Sequence, residues 1–198
     1  MRGLFEDQKD HAEGAHRATR HLEEVAQDAS GSRYYEGVWM VCTLDQGKRR
    51  KITALIWGLL FLEAALLGVC GCLRGSGMDG CVFVLLPYAL CILSVCFSIR
   101  HMIEISFAGG RMREYPYKKH MKGLGPCAAA GMIFCILCIG ARLAEAVMAG
   151  GWERAGRADI ARNGILFLAL QILTLAALVF SYRLAGSLTW KESFDPPA

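Results

Sequence analysis

The chain has 198 residues, 54% of them hydrophobic and 20% charged, with a formal charge of +4 and a mean hydropathy of +0.33. Soluble domains carry about 25% charged residues and a smaller apolar share, so these values exclude an ordinary water-soluble globule and point to the lipid bilayer. The modest positive charge sits beside apolar stretches and gives no reason to expect a nucleic-acid partner.

Residues 4–29 are predicted to be helical, because Leu4, Gln8, His11, Ala15, Ala18, Leu22, Val25 and Ala29 recur at alternating spacings of four and three. The result is a thin heptad seam, since Ala, His and Gln fill most of it and bury little area. It reads in two ways. Either the helix docks on a protein partner or a second copy through Leu4, Leu22 and Val25, or it is solvated and rides on the cytoplasmic face. Gly31-Ser32 breaks it. The run from Tyr34 to Val41 then sets aromatic side chains beside a basic cluster, as suits a segment at headgroup level.

A spanning helix needs roughly 20 predominantly apolar residues, because the hydrocarbon core is about 30 Å thick and a helix rises about 1.5 Å per residue. Residues 52–73, 81–99, 124–149 and 164–183 meet that requirement. The chain therefore divides into a cytoplasmic helix with a basic juxtamembrane segment (1–51), a four-span bundle (52–186) and a cytoplasmic tail (187–198). No apolar signal-peptide core precedes the first span, which is expected to serve as the insertion signal, and no second globular domain is expected. Lys48, Arg49, Arg50 and Lys51 precede the first span, and Arg100, Arg111, Arg113, Lys118, Lys119 and Lys122 follow the second. The remaining two loops carry only Arg74, and Arg154, Arg157 and Arg162. This asymmetry places both termini in the cytoplasm, with a plasma or inner membrane as the setting. It also makes Lys48, Arg49, Arg50, Lys51, Lys118, Lys119 and Lys122 candidate contacts for anionic lipid.

The two halves of the membrane part look related. Glu63 in Phe61-Leu62-Glu63-Ala64-Ala65 matches Glu145 in Leu143-Ala144-Glu145-Ala146-Val147, and Phe97-Ser98-Ile99-Arg100 matches Phe180-Ser181-Tyr182-Arg183, at offsets of 82 and 83. These matches suggest two tandem two-helix hairpins. Each span also carries a stripe of small or polar residues, such as Cys127, Gly131, Cys135 and Cys138 on the third, and such stripes are expected to face one another. The fold class is thus all-α: an integral membrane four-helix bundle of two tandem hairpins with an N-terminal cytoplasmic helix.

Depth singles out one residue. Arg142 lies 20 residues beyond Lys122, about 30 Å up, where it and Glu145 can pair at the outer interface as an anchor. Glu63 stands 12 residues above Lys51 and 11 below Arg74, near mid-membrane, where a carboxyl must be protonated, paired or beside water. Gln171 reaches a similar depth, so a Glu63 to Gln171 hydrogen bond is allowed. Glu63 reads either as a proton, cation or cationic-substrate site, or as interhelical glue. A lone acidic residue in the first of four spans resembles the small multidrug exporters. The 50-residue N-terminal segment and long basic loop depart from that pattern, and no function is carried over from it.

Nine cysteines raise a redox reading, with Cys70, Cys72 and Cys81 flanking a short loop and Cys135-Ile136-Leu137-Cys138 at CxxC spacing. A CxxC in mid-helix lacks the exposed helix N-terminus that activates a thiol, and buried Cys packs as a small hydrophobe. His11, His16 and His21 do not share a helix face, and His101 and His120 are isolated in sequence, so no metal set emerges. Phosphate loops and catalytic triads are likewise missing from the sequence. The expected role is a non-catalytic accessory or scaffold subunit of a membrane complex, without catalytic residues or cofactor. An oligomeric transporter or channel built on Glu63 is the main alternative, and a membrane thiol-disulfide oxidoreductase the third.

Overall fold

In a computed structural model, each apolar stretch becomes one long helix. It describes residues 25–27, 33–35, 38–73, 81–148 and 158–193. Helix α1 spans Gln46–Cys72, α2 Val82–Phe107, α3 Lys122–Met148 and α4 Ala158–Ser187. All four run past the expected span at the basic end; in α1 and α2 the added turns hold Lys, Arg and Glu, good helix formers that need not stop where the apolar run stops. Asp45 caps α1, its Oδ2 accepting the Gly47 amide at 3.1 Å. Helix α2 ends at Gly109 and Gly110, whose φ of 61° and 99° lie in the left-handed region that glycine reaches without a Cβ clash. A single turn, Glu114–Pro116, and a π-helical turn, Tyr117–Met121, lead into α3.

All four helices are long and apolar enough to cross a membrane. Their outward faces leave Phe61, Phe83, Ile133, Val147, Ile172 and Phe180 exposed. A continuous apolar surface of that extent is a liability in water and suits lipid, so the chain is an integral membrane protein. In the bundle, α2 packs most extensively on α3, with α1 on α4 and α3 on α4 next, while the α1–α2 contact is thinner. The closest pair therefore joins the two sequence hairpins, so the first hairpin is not a unit packed mainly on itself.

A small sheet closes one end. Strands β3 (Trp39–Cys42), β4 (Arg111–Arg113) and β5 (Trp190–Ser193) associate antiparallel in the order β4-β3-β5. Met40 stands opposite Met112 and Glu192, and Val41 opposite Arg111 and Lys191. With a side-chain period of two, Met40 and Met112 point inward onto Ile56, Met102, Leu124 and Leu188, whereas Arg111, Arg113 and Lys191 are exposed. The segments before α1, between α2 and α3, and after α4 thus meet at one end of the bundle. The Trp39–Val41 stretch, expected as a headgroup-level segment, is the central strand of this sheet.

A two-stranded pair, β1 (Val25–Gln27) with β2 (Arg33–Tyr35), sets Val25 opposite Tyr35. Val25, the seventh position of the expected heptad seam, accordingly lies in a strand, in keeping with the strand preference of β-branched and aromatic residues. Leu4, Leu22 and the rest of 4–24 fall outside the described residues. Two apolar clusters fill the bundle. One, around Leu67, Tyr88, Val95, Cys135 and Phe167, lies toward the α1–α2 connection; the other, around Ile56, Leu60, Met102 and Leu188, lies over the sheet.

Candidate functional site

Polar groups inside a bundle must be satisfied by neighbouring helices, since lipid offers no partner. Glu63 on α1 is fully enclosed, at 0% exposure, and its Oε1 accepts a 2.6 Å hydrogen bond from the Ser181 hydroxyl on α4. The partner is Ser181 and not Gln171. Ser181 lies ten residues beyond Gln171 on α4, about 15 Å of helical rise, and only two from Arg183. The bond to Gln171 that the spacing allowed is therefore not the one formed, because residue counts along each helix do not fix the height of α1 against α4. Glu63 Oε2 is buried without a hydrogen-bond partner among the described residues.

Gln171 and the cysteines form a separate layer. The Cys135 thiol on α3 donates to the Gln171 backbone carbonyl and to its Oε1, both at 3.2 Å. Cys91 on α2 donates to the Gly131 carbonyl on α3, and Cys138 on α3 to the Val84 carbonyl on α2, each at 3.7 Å. Three thiols thus join helices, and the two cysteines of the CxxC spacing point at different neighbours. Cys70, Cys72 and Cys81 are free thiols. Gln171 Nε2 is buried beside the Cys70 thiol and makes no hydrogen bond of normal geometry among the described residues.

Arg142 and Glu145 form an ion pair at 2.5 Å, with the arginine side chain 4% exposed and the glutamate 33%. The guanidinium is folded onto α4, where a Cβ on Gly164 would come within 2.7 Å of Nη2. It is therefore enclosed by the bundle where an anchor reaching water was expected. If the sequence repeat set the packing, Glu145 would face Ser98 as Glu63 faces Ser181. Ser98 instead donates to the Ser94 carbonyl at 3.0 Å on its own helix.

At the basic end, Lys48, Lys51, Lys118, Lys119 and Lys122 are exposed, with Lys118 paired to Glu114 and Lys119 lying 5.8 Å from the Tyr115 ring centre. Arg49 turns inward, its Nη1 donating 2.7 Å to the Gly109 carbonyl. Together with Arg50 it lines a cavity of about 450 Å³ between α1, the end of α2 and β5. Histidines distant in sequence also meet here: His101 and His120 approach to 3.2 Å between their Nδ1 atoms. Sequence reading missed this pair because the contact joins α2 to the π-helical turn, and no local spacing announces it. Among the described residues no group of three or more His, Cys, Asp or Glu is arranged to hold a metal. No known protein family, curated protein or solved structure matches the chain.

Proposed function

We infer that the chain is a non-catalytic accessory or scaffold subunit of a membrane complex, embedded by four spans and binding a protein partner or a second copy of itself. The observation that supports this reading most is the enclosure of Glu63. A carboxyl with no exposed surface, bonded across helices to Ser181, acts as glue between α1 and α4, and the thiols of Cys91, Cys135 and Cys138 do the same between their helices. The sheet end, where Lys and Arg concentrate, belongs in the cytoplasm by the positive-inside rule.

One observation favours a second reading, a transporter or channel. Glu63 Oε2 and Gln171 Nε2 are buried and unsatisfied among the described residues, an arrangement that a proton, a water or a ligand would relieve in another conformation. The purified chain in vesicles containing a pH-sensitive dye decides between the two. The subunit reading expects no more proton flux than in protein-free vesicles, and a second protein or second copy retained in whole-number ratio by mass measurement from mild detergent. Proton flux that Glu63→Gln abolishes would overturn it.

A further inference from the structure

The cavity at the basic end differs in kind from the lysines around it. Its wall brings together the guanidinium-bearing Arg49 and Arg50, the hydroxyl-bearing Thr53 and Ser106, and the indoles of Trp57 and Trp190, with no carboxylate among the described lining residues. Four features bear on what it would accept. First, Arg49 is positioned and not loose: Nη1 is fixed on the Gly109 carbonyl at 2.7 Å, which leaves the rest of its donor fork unassigned, and Arg50 makes no hydrogen bond or ion pair among the described residues. Second, Ser106 is oriented by two bonds, accepting from Trp57 Nε1 at 3.0 Å and donating to the Met102 carbonyl at 2.8 Å. Third, Trp190 Nε1, a donor-only N–H, is buried without a partner among the described residues, so Trp190 presents no side-chain acceptor to the cavity. Donors therefore outnumber acceptors on this wall, which is the chemistry of an anion site, and paired guanidiniums suit the several oxygens of a phosphate.

The fourth feature sets the source of that phosphate. Above Arg50 the same face of α1 continues through Ala54, Gly58 and Phe61, at helical spacings of four, four and three. Nothing lies within 4 Å of a Cβ built on Gly58, and Phe61 is 65% exposed. A shallow apolar track thus leads from the cavity up the lipid-facing side of the helix, where an acyl chain would lie.

The geometry points to a binding site for one anionic phospholipid, with its phosphate held by Arg49 and Arg50 and its acyl chain along Ala54, Gly58 and Phe61. The exposed Lys48 and Lys51 add attraction of the diffuse kind that any basic segment has for an anionic surface. The inference stands whether or not the chain has a protein partner. It differs from the general contact expected of Lys48 to Lys51 in assigning the selectivity to two of those four residues.

The test uses the full chain, stripped of lipid in detergent and titrated with phosphatidylglycerol, phosphatidylcholine or sn-glycerol 3-phosphate, with bound lipid read by mass measurement of the intact protein. One phosphatidylglycerol is expected to remain bound under conditions that remove phosphatidylcholine, and Arg50→Gln should weaken it about tenfold, as the loss of a charge-assisted hydrogen bond does. The double variant Lys48→Gln/Lys51→Gln removes more charge from outside the cavity and should leave affinity within about twofold, since exposed charges contribute little each. Arg49→Gln should weaken binding at least as much as Arg50→Gln. Because Arg49 also holds the Gly109 turn, Arg50→Gln is the deciding variant, with unchanged melting of the lipid-free protein as its control. Equal losses in the lysine and arginine variants, or no preference for phosphatidylglycerol, would overturn the site. Full displacement by glycerol 3-phosphate would overturn the lipid as its occupant.

Discussion

Among the described helical glycines, Gly131 has the least room for a side chain. It sits on α3 facing both α2 and α4, and a Cβ there would stand 2.6 Å from Ser94 Oγ and 3.1 Å from a methyl of Leu178. Ordinary carbon–oxygen contact is well above 3 Å, so Gly131→Ala forces a neighbour to move. Ser94 can rotate away only by giving up its 2.8 Å bond to the Cys91 carbonyl, a loss of about 1 kcal/mol. Leu178 is 1% exposed, so it can move only within the packed interior. If the helices separate instead, the Cys91 thiol contact to the Gly131 carbonyl lengthens. Overpacking of this type costs about 1–3 kcal/mol, offset by about 1 kcal/mol from replacing glycine in a helix, which leaves a net loss of up to about 2 kcal/mol. Gly140 on the same helix is the matched control, because nothing lies within 4 Å of its built Cβ; Gly140→Ala should be neutral or stabilising by about 0.5 kcal/mol. Unfolding in mixed micelles with increasing SDS, followed by circular dichroism, measures both. Adding Ser94→Ala should recover part of the Gly131→Ala loss. Equal stability of Gly131→Ala and Gly140→Ala would refute the packing of α2 and α4 on α3.

Gly110→Ala should disrupt the turn at the end of α2, since its φ is 99° and its Cβ would overlap the Arg49 guanidinium; a melting temperature equal to wild type would contradict the turn. Met40→Ala opens a hole beneath the central strand and should cost about 2 kcal/mol. Because β3 pairs with both neighbours, hydrogen exchange should then quicken in β3, β4 and β5 together, and unchanged protection over Trp190–Ser193 would argue against the sheet. For orientation, a glycosylation acceptor inserted after Ser76 should be modified in microsomes, and one appended after Ala198 should not. Modification of the second alone would invert the orientation, and modification of both would break the even span count.

The spans were legible because hydropathy needs only composition over about 20 residues. Their ends were not: α1 starts at Gln46, in a charged stretch without apolar signal, and α2 continues to Phe107, past Arg100, His101 and Glu104, which interrupt the apolar run. The sheet left almost no trace. Its strands are three or four residues long and lie around positions 40, 112 and 191, and each is too short for a period of two to register. Only Met112, an apolar residue between Arg111 and Arg113, hints at an inward face. Glu63 was recognisable as the unusual residue from its type and its distance from charged flanks. Its partner was not, because the relative height of α1 and α4 is set by packing at the sheet end, which brings Ser181 and not Gln171 alongside. The matching Phe-Ser-x-Arg segments behave differently in space, with Ser181 bonding another helix and Ser98 its own, so likeness in sequence did not fix a shared contact.

The central claim is that Glu63 binds α1 to α4 through Ser181, and a double-mutant cycle on this pair tests it most directly. Glu63→Ala and Ser181→Ala should each lower stability by roughly 1 kcal/mol. The double variant should lose less than the sum, with a coupling of about 0.6 kcal/mol and at most about 1.7, the range of hydrogen bonds between membrane helices. Glu63→Gln, which keeps a side chain able to accept from Ser181, should retain near wild-type stability together with any cellular phenotype the gene confers. Strict additivity of the two alanine losses, or a Glu63→Gln protein of full stability that has lost that phenotype, would contradict the account.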